Sequence, residues 1–268
     1  MTTRRMYLTA LALGSFLLTG HLPAKEQATK AVLPPETRQV DPAAIEALHR
    51  MGTYLRGLES FELKAEDMLD EVLESGQKIQ LTKTVDLLVH KPNRLRADIA
   101  TDRKAREIYY DGEHFTVYSP DAGFFATVAA PPTIRELLAA VKSKYGIELP
   151  LEDLFYWGED EEAEGAIKEA MSVGPSNLGG RLTDHYAFRQ DDVDWQIWIA
   201  QGDIPLPLRY VITTKDMPGE PQYMANLTWS TEVNPEEARF VFTPTKEDHP
   251  IDILVRAESQ ATPDGAQQ

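Results

Sequence analysis

The sequence predicts an α+β fold: one large curved antiparallel β-sheet, an open half-barrel, closed by a few helices. Three observations carry this expectation. Apolar and polar residues alternate through most of the chain beyond residue 60. Apolar stripes at helical spacing occur in two places, before the strands and in their middle. Short turn-forming segments join consecutive strands, which makes the pairing antiparallel.

The chain begins Thr3-Arg4-Arg5-Met6-Tyr7-Leu8, with an apolar run from Tyr7 to Leu18 and then Leu22-Pro23-Ala24. A basic, then apolar, then small-residue order is the layout of a secretory signal. The apolar run is too short for a membrane span, which needs about 20 residues. Thr-Arg-Arg-x-Tyr-Leu also resembles a twin-arginine signal, so the export route stays open between the two. Leu17-Leu18-Thr19-Gly20-His21 resembles a lipoprotein box with His in place of the acylated Cys. Without a thiol no lipid is attached, and a soluble mature protein is expected. The plan is a signal peptide over 1–24, a linker over 25–40, one half-barrel domain over 41–257 and a disordered polar tail over 258–268.

Asp41-Pro42 is a cap followed by a first-turn Pro, and Ile45, Leu48, Leu55 and Leu58 recur at helical spacing, so a helix ends near Gly57. Phe61 to Leu73 reads as a strand with Ser75-Gly76 as its turn. Ile79, Leu81, Val85, Leu87 and Val89 alternate with polar residues in the next strand. Lys91-Pro92-Asn93 turns the chain into Leu95, Ala97 and Ile99. Asp111-Gly112 is the strongest hairpin dipeptide, between Ile108 to Tyr110 and His114 to Tyr118. Pro131-Pro132 stops the sheet. Thr133 and Glu136 form a capping box for a helix striped by Ile134, Leu137, Leu138, Val141 and Tyr145 and ended by Gly146. Leu151 to Trp157 reads as a short further helix, and Ala166 to Met171 as a helical turn. Strands are expected at Leu182 to Arg189, Val193 to Ala200, Leu208 to Thr214, Tyr223 to Ser230 and Arg239 to Thr243.

Composition excludes several functions. The formal net charge is −16, and removing a leader that carries Arg4 and Arg5 makes the product more acidic still. Such a surface repels phosphate backbones and anionic headgroups, so nucleic acid is not a partner. The absence of cysteine removes disulfides, thiol catalysis and thiolate metal sites. No nucleophile elbow, phosphate loop or dinucleotide fingerprint occurs; Gly174-Pro175-Ser176-Asn177-Leu178-Gly179 has the wrong spacing and reads as a turn. The six histidines, His21, His49, His90, His114, His185 and His249, include no pair at metal-ligand spacing. Asp191-Asp192-x-Asp194 and the acidic run 159–164 lack the Gly and terminal Glu of a calcium loop. No metal, no cofactor and no catalysis are expected.

Aromatic residues are the remaining signal. They either pack a filled core or line an apolar cavity that few helices cannot fill. Alternation selects Leu87, Leu95, Phe115, Val117, Phe125, Leu137, Phe155, Trp195, Ile197, Trp229 and Phe242 for the dry concave face, where they would bury acyl chains.

Several short motifs occur in an order that resembles a known group. Val89-His90-Lys91-Pro92-Asn93-Arg94-Leu95-Arg96 resembles the strand–turn–strand corner of periplasmic lipoprotein-carrier proteins. Tyr110-Asp111-Gly112-Glu113-His114-Phe115-Thr116-Val117-Tyr118, with Ser119-Pro120 after it, resembles their Asp-Gly hairpin. Trp195-Gln196-Ile197-Trp198-Ile199 through Pro205-Leu206-Pro207-Leu208-Arg209 resembles their later strand and turn. With Ile212-Thr213-Thr214-Lys215 and Leu227-Thr228-Trp229, the pattern is most similar to a bacterial family of predicted periplasmic proteins, the domain-of-unknown-function family DUF2092. The resemblance spans about residues 41 to 250 and implies a half-barrel with an apolar cavity, a lipid or acylated ligand, or an envelope protein partner.

Two functions remain: a periplasmic carrier of an apolar ligand, or a non-catalytic interaction or envelope-sensing module with a filled core. Catalysis needs a poised acid, base or nucleophile with a tuning partner, and no motif marks one. The purified chain is therefore expected to turn over no esterase, phosphatase or glycosidase substrate. Turnover abolished by replacing a single carboxylate or histidine would refute that expectation.

Overall fold

The computed structural model describes residues 40–157 and 164–255. The expected signal peptide, the linker up to residue 39, most of the acidic run 159–164 and the polar tail lie outside them. Within the described residues, two helices and twelve strands form one open, curved sheet.

The first helix, α1 (Pro42–Gly57), begins where the sequence places it. The Asp41 carboxylate accepts from the Ala43 amide at 2.9 Å, and Pro42 fills a first-turn position whose N–H has no helical partner. Ala44, Ala47, Leu48, Met51, Gly52 and Leu55 form its buried face. Its last carbonyls are satisfied from outside: Lys91 Nζ donates to Leu55 O at 2.7 Å and Arg56 O at 3.1 Å. A cation is also the favourable charge at that end of a helix.

Strands β1 (Ser60–Val72) and β2 (Lys78–His90) form a long hairpin at the centre of the sheet. From β2 the chain meanders outward through β3 (Arg94–Thr101), β4 (Ala105–Tyr110), β5 (His114–Ser119) and β6 (Phe124–Ala129). Gly112 makes the β4–β5 turn at φ +92°, and a Cβ there would lie 2.4 Å from Arg94 Nη1, so only Gly fits. Helix α2 (Ile134–Tyr145) follows. Its Thr133 hydroxyl accepts from the Glu136 amide, and Gly146 closes it at φ +65°.

The second half pairs back onto β1. Strands β7 (Glu169–Leu178), β8 (Arg181–Arg189), β9 (Val193–Ala200), β10 (Pro207–Thr214) and β11 (Gln222–Ser230) run antiparallel, and β11 pairs with β1. A two-residue β12 (His249–Pro250) lies parallel to β6, which gives the order β12-β6-β5-β4-β3-β2-β1-β11-β10-β9-β8-β7.

Register assigns the faces. Leu63, Leu87, Ala97, Ile108 and Val117 stand opposite one another across five strands, as do Phe61, Val89, Leu95, Tyr110 and Phe115. Both helices pack on this face, and together they make the main core. A smaller cluster occupies the opposite face, where Leu88 and Phe240 are buried and Phe242 meets the rings of Tyr109, Tyr118 and Phe125 at 4.9–5.4 Å.

Several expectations change. The segment from 239 to 243 is a 3-10 turn (Glu237–Phe240) and an unpaired extension, because it packs by side chains across the convex face. Residues 169–178, expected as a helical turn followed by a loop, are an edge strand. A register shift between Ser172 and Gly174, with Gly174 at φ +118°, admits the irregularity, and Pro175 is tolerated because this strand lies at the edge. Leu151 to Trp157 holds only a 3-10 turn, Glu152–Phe155.

Gly52 marks the closest approach between α1 and the segment after α2: a Cβ would sit 2.3 Å from the carbonyl oxygen of Trp157. Gly57 has nothing within 4 Å of such a Cβ. Gly52→Ala is therefore expected to destabilise the fold by about 1–3 kcal/mol despite its better helix propensity. Gly57→Ala should leave stability unchanged or raise it by up to ~1 kcal/mol. Denaturant midpoints of the two variants check this; equal midpoints would show that the contact is not tight.

Candidate functional site

The segment Leu149–Trp157 is a strap across the concave face. Leu149, Leu151 and Leu154 anchor it in the core. Leu151 adopts φ +61°, a conformation that disfavours L residues by about 1–2 kcal/mol and holds here with its side chain buried. Arg56 Nη1 donates to Trp157 O at 2.8 Å and ties the strap to α1.

Among the described residues, three open hollows lie around the strap. The first, about 310 Å³, lies between the end of α1, the start of α2 and the sheet. Phe61, Trp229, Ile134, Leu154 and Phe155 make it apolar, and Arg56, Lys91 and Arg135 stand at its rim. Trp229 packs on Phe61 with ring centroids 5.3 Å apart, and its indole N–H donates to Pro207 O at 2.7 Å. Arg135 lies over the Tyr156 ring at 5.3 Å.

The second hollow, about 280 Å³, lies on the other side of the strap against β9 and β10. Leu48, Trp157, Ile167, Val193, Trp195 and Ile212 line it, and the His49–Glu164 pair at 2.7 Å sits at its edge. Trp195 stacks on Phe188 at 4.0 Å, and Trp157 meets Tyr210 edge-on at 5.7 Å.

The third, about 480 Å³, is polar. Lys83, Tyr210 and Tyr223 form its sheet side, and Glu148, Glu152 and Asp153 its strap side. Tyr210, Ile212 and Asp153 also line the second hollow, so the two adjoin. Beneath lies Asp67, on an inward-facing position of β1 and 2% exposed. Burial, and then the neighbouring phenol and Asp67, push the Tyr223 hydroxyl far above its usual range; burial does the same to Tyr210.

The eleven residues selected by alternation divide three ways. Leu87, Leu95, Phe115, Leu137 and Ile197 are packed in the main core, with Val117 against them. Phe155, Trp195 and Trp229 are half-buried and line the hollows. Phe125 and Phe242 are on the convex face: Phe125 pairs with Tyr118, which points away from the row containing Val117, and Phe242 covers both. Their expected place on the concave face is thereby corrected. The lining residues that alternation missed include Phe61, Ile134, Leu154 and Ile212. Asp67 and Lys83 were also missed, although each interrupts an inward-facing apolar row, Phe61-Leu63-Ala65-Asp67 and Lys83-Val85-Leu87-Val89. Among the described residues, no group of three or more His, Asp or Glu is arranged to hold a metal ion, and no helix is long and apolar enough to cross a membrane.

A family of predicted periplasmic proteins, DUF2092, matches residues 44–254. The chain belongs to that family. No curated protein matches it. Among solved structures, the lipoprotein LppX of Mycobacterium tuberculosis aligns at TM-score 0.45 and 15% identity, over 72% of this chain and 98% of that one. A chain of the Pseudomonas aeruginosa MucA/MucB complex aligns at 0.42 and 15%, over 75% of this chain and 61% of that one. A LolA superfamily protein of Nitrosomonas europaea aligns at 0.35 and 9%, over 74% and 97%. At scores and identities this low, the function must be argued from the chain's own residues.

The phenols give a direct check on this geometry. A tyrosine whose folded pKa is raised stabilises the fold below the unfolded value of about 10, and that contribution is lost as pH rises beyond it. Tyr210 and Tyr223, with Tyr109, should therefore ionise well above the ordinary phenol range. Near-ultraviolet titration should show a late phase that coincides with alkaline unfolding and shrinks in a Tyr210→Phe/Tyr223→Phe variant. A single phase near pH 10 in the folded chain would refute the burial of these hydroxyls.

Proposed function

We propose that the chain is an exported periplasmic binding protein that holds an apolar ligand, a lipid or acyl chain, between the sheet and its helices. The observation that carries this reading is the set of half-buried aromatics, Phe155, Trp195 and Trp229, lining hollows that no side chain fills. Hollows of this size are at the lower end for small-ligand sites. Each methylene buried there contributes about 0.8 kcal/mol. The reading includes an N-terminal export signal and no catalytic step.

A second reading, an interaction module for an envelope protein partner, draws support from the tight packing of Leu87, Leu95, Phe115, Leu137 and Ile197. Those residues fill the space beneath α1 and α2, so any ligand is confined to the strap region rather than the whole concave face.

Native mass spectrometry of the chain purified from its own envelope is expected to show co-purified lipid. A fluorescent fatty-acid analogue is expected to bind, and Phe155→Ala to weaken it about tenfold, a difference of about 1.4 kcal/mol. Repeated absence of lipid together with no analogue binding would overturn the carrier reading and leave the interaction module.

A further inference from the structure

The first hollow differs from its neighbours in the sign of its rim. The described residues that line it include Arg56, Lys91 and Arg135 and no carboxylate. The described lining of the second hollow includes Asp153 and Glu164 and no lysine or arginine. That of the third sets Glu148, Glu152 and Asp153 against Lys83. In a chain of 43 acidic and 27 basic residues, a mouth lined by cations runs against the overall charge. Each cation is placed by contacts of the fold. Lys91 Nζ donates to the last carbonyls of α1, Leu55 O at 2.7 Å and Arg56 O at 3.1 Å. Arg56 donates to Trp157 O at 2.8 Å and to the Thr53 hydroxyl at 3.1 Å. Arg135 lies over the Tyr156 ring at 5.3 Å.

Behind this mouth the hollow is apolar. Phe61, Ile134, Leu154, Phe155 and Trp229 line it, and the Trp229 indole N–H is already taken by Pro207 O. A hydrocarbon tail is favoured inside, and polar selection falls to the rim. Helix α2 begins at the same mouth with Thr133, Ile134 and Arg135, and the positive end of a helix favours a negative charge. Glu136, in its first turn, is held in the capping box, where it accepts from the Thr133 hydroxyl at 2.8 Å. Salt screens charges beyond about 8 Å at physiological ionic strength, so the groups at the mouth outweigh carboxylates elsewhere on the surface. Guanidinium and ammonium groups at this spacing from an apolar lining match a carboxylate or phosphate head, to which they donate charge-assisted hydrogen bonds.

We propose that the first hollow is the site of an anionic amphiphile, with its tail against Phe155 and Trp229 and its carboxylate or phosphate head at Arg135, Lys91 and Arg56. The proposal rests on the apolar-ligand reading and names the class of ligand and its place.

The test measures binding of four probes to the native chain by calorimetry, below their aggregation limits: decanoate, decyl phosphate, decylammonium and decanol. Both anionic probes should bind about tenfold more tightly than the other two, the size expected of a charge-assisted contact. The side chain of Arg135 is exposed, so its replacement tests the rim without removing a tie of the strap. Arg135→Glu should abolish the anionic preference and leave decanol binding unchanged, whereas Arg135→Lys should keep most of it. Glu148→Gln/Glu152→Gln, in the third hollow, should leave the preference as it is. Decanoate ahead of decyl phosphate would support the proposal with a fatty carboxylate as ligand, and the reverse order would support it with a phosphorylated head. Equal binding of all four probes would overturn this proposal and leave the apolar-ligand reading standing. An anionic preference untouched by Arg135→Glu would overturn the assignment to this mouth. Acetate binding as tightly as decanoate would overturn the amphiphile. No binding of any probe, decanol included, would overturn both this proposal and the apolar-ligand reading.

Discussion

The concave face of this sheet is wider than the helices available to cover it. Strands β1 to β11 all present inward-facing residues on one surface, and each such row must leave water. Closing the sheet into a barrel would achieve that, but its two outermost strands, β12 and β7, do not meet. The burden falls on α1, α2 and the strap. Where the helices lie directly on the sheet, as at Met51, Leu63, Leu87 and Leu137, burial is nearly complete. Where only the strap crosses, aromatic side chains are left half-covered, and the hollows appear there. The candidate site is thus a consequence of coverage: it lies where a single extended segment replaces a helix.

The same constraint explains the attachments of the strap. A segment with one short 3-10 turn has few internal hydrogen bonds to hold it. It is fixed by three leucines below, by Arg56 bonding to Trp157, and by the contact with Gly52 that leaves no room for a side chain. Lys91 closes the end of α1 next to it, so the corner between β2 and β3, the helix terminus and the strap form one unit. The start of α2 joins this unit through the Ile134 amide, which donates to Pro92 O at 2.9 Å.

Much of this architecture is legible in the sequence, for identifiable reasons. The alternation from Ile79 to Val89 works because β2 has one covered face, and the caps of both helices work because Asp41, Thr133 and Gly146 satisfy local backbone groups. Residues 169–178 were hidden because an edge strand tolerates Gly174 and Pro175, which elsewhere signal a turn. Phe125 and Phe242 were misplaced because alternation reports that a side is buried without saying by what. Here the convex face has its own cover, supplied by a segment more than a hundred residues downstream of Phe125. The site was least legible. Phe155, Trp195 and Trp229 carry the same apolar signature as Leu95 or Ile197, and only packing separates lining from core. Asp67 and Lys83 did leave a trace, one charge in each of two apolar rows at positions that pair, but the pairing follows from a register that sequence alone does not supply.

The bulge at Gly174 and the proline beside it have a consequence for the molecule in crowded surroundings. An unpaired strand at the end of a long sheet is a template on which another chain can add its own strand, and repetition of that step makes fibrils. Pro175 removes one donor from the ladder, the shifted register twists the edge, and Asp41 takes up the Ala170 carbonyl at 3.0 Å. At the far end, His249 and Ile251 bond to the backbone of Gly123 and Phe125 and cover the rim of β6. Both ends of the sheet are thereby blunted by backbone chemistry, so that a protein that leaves its concave face partly uncovered does not also offer its edges for growth.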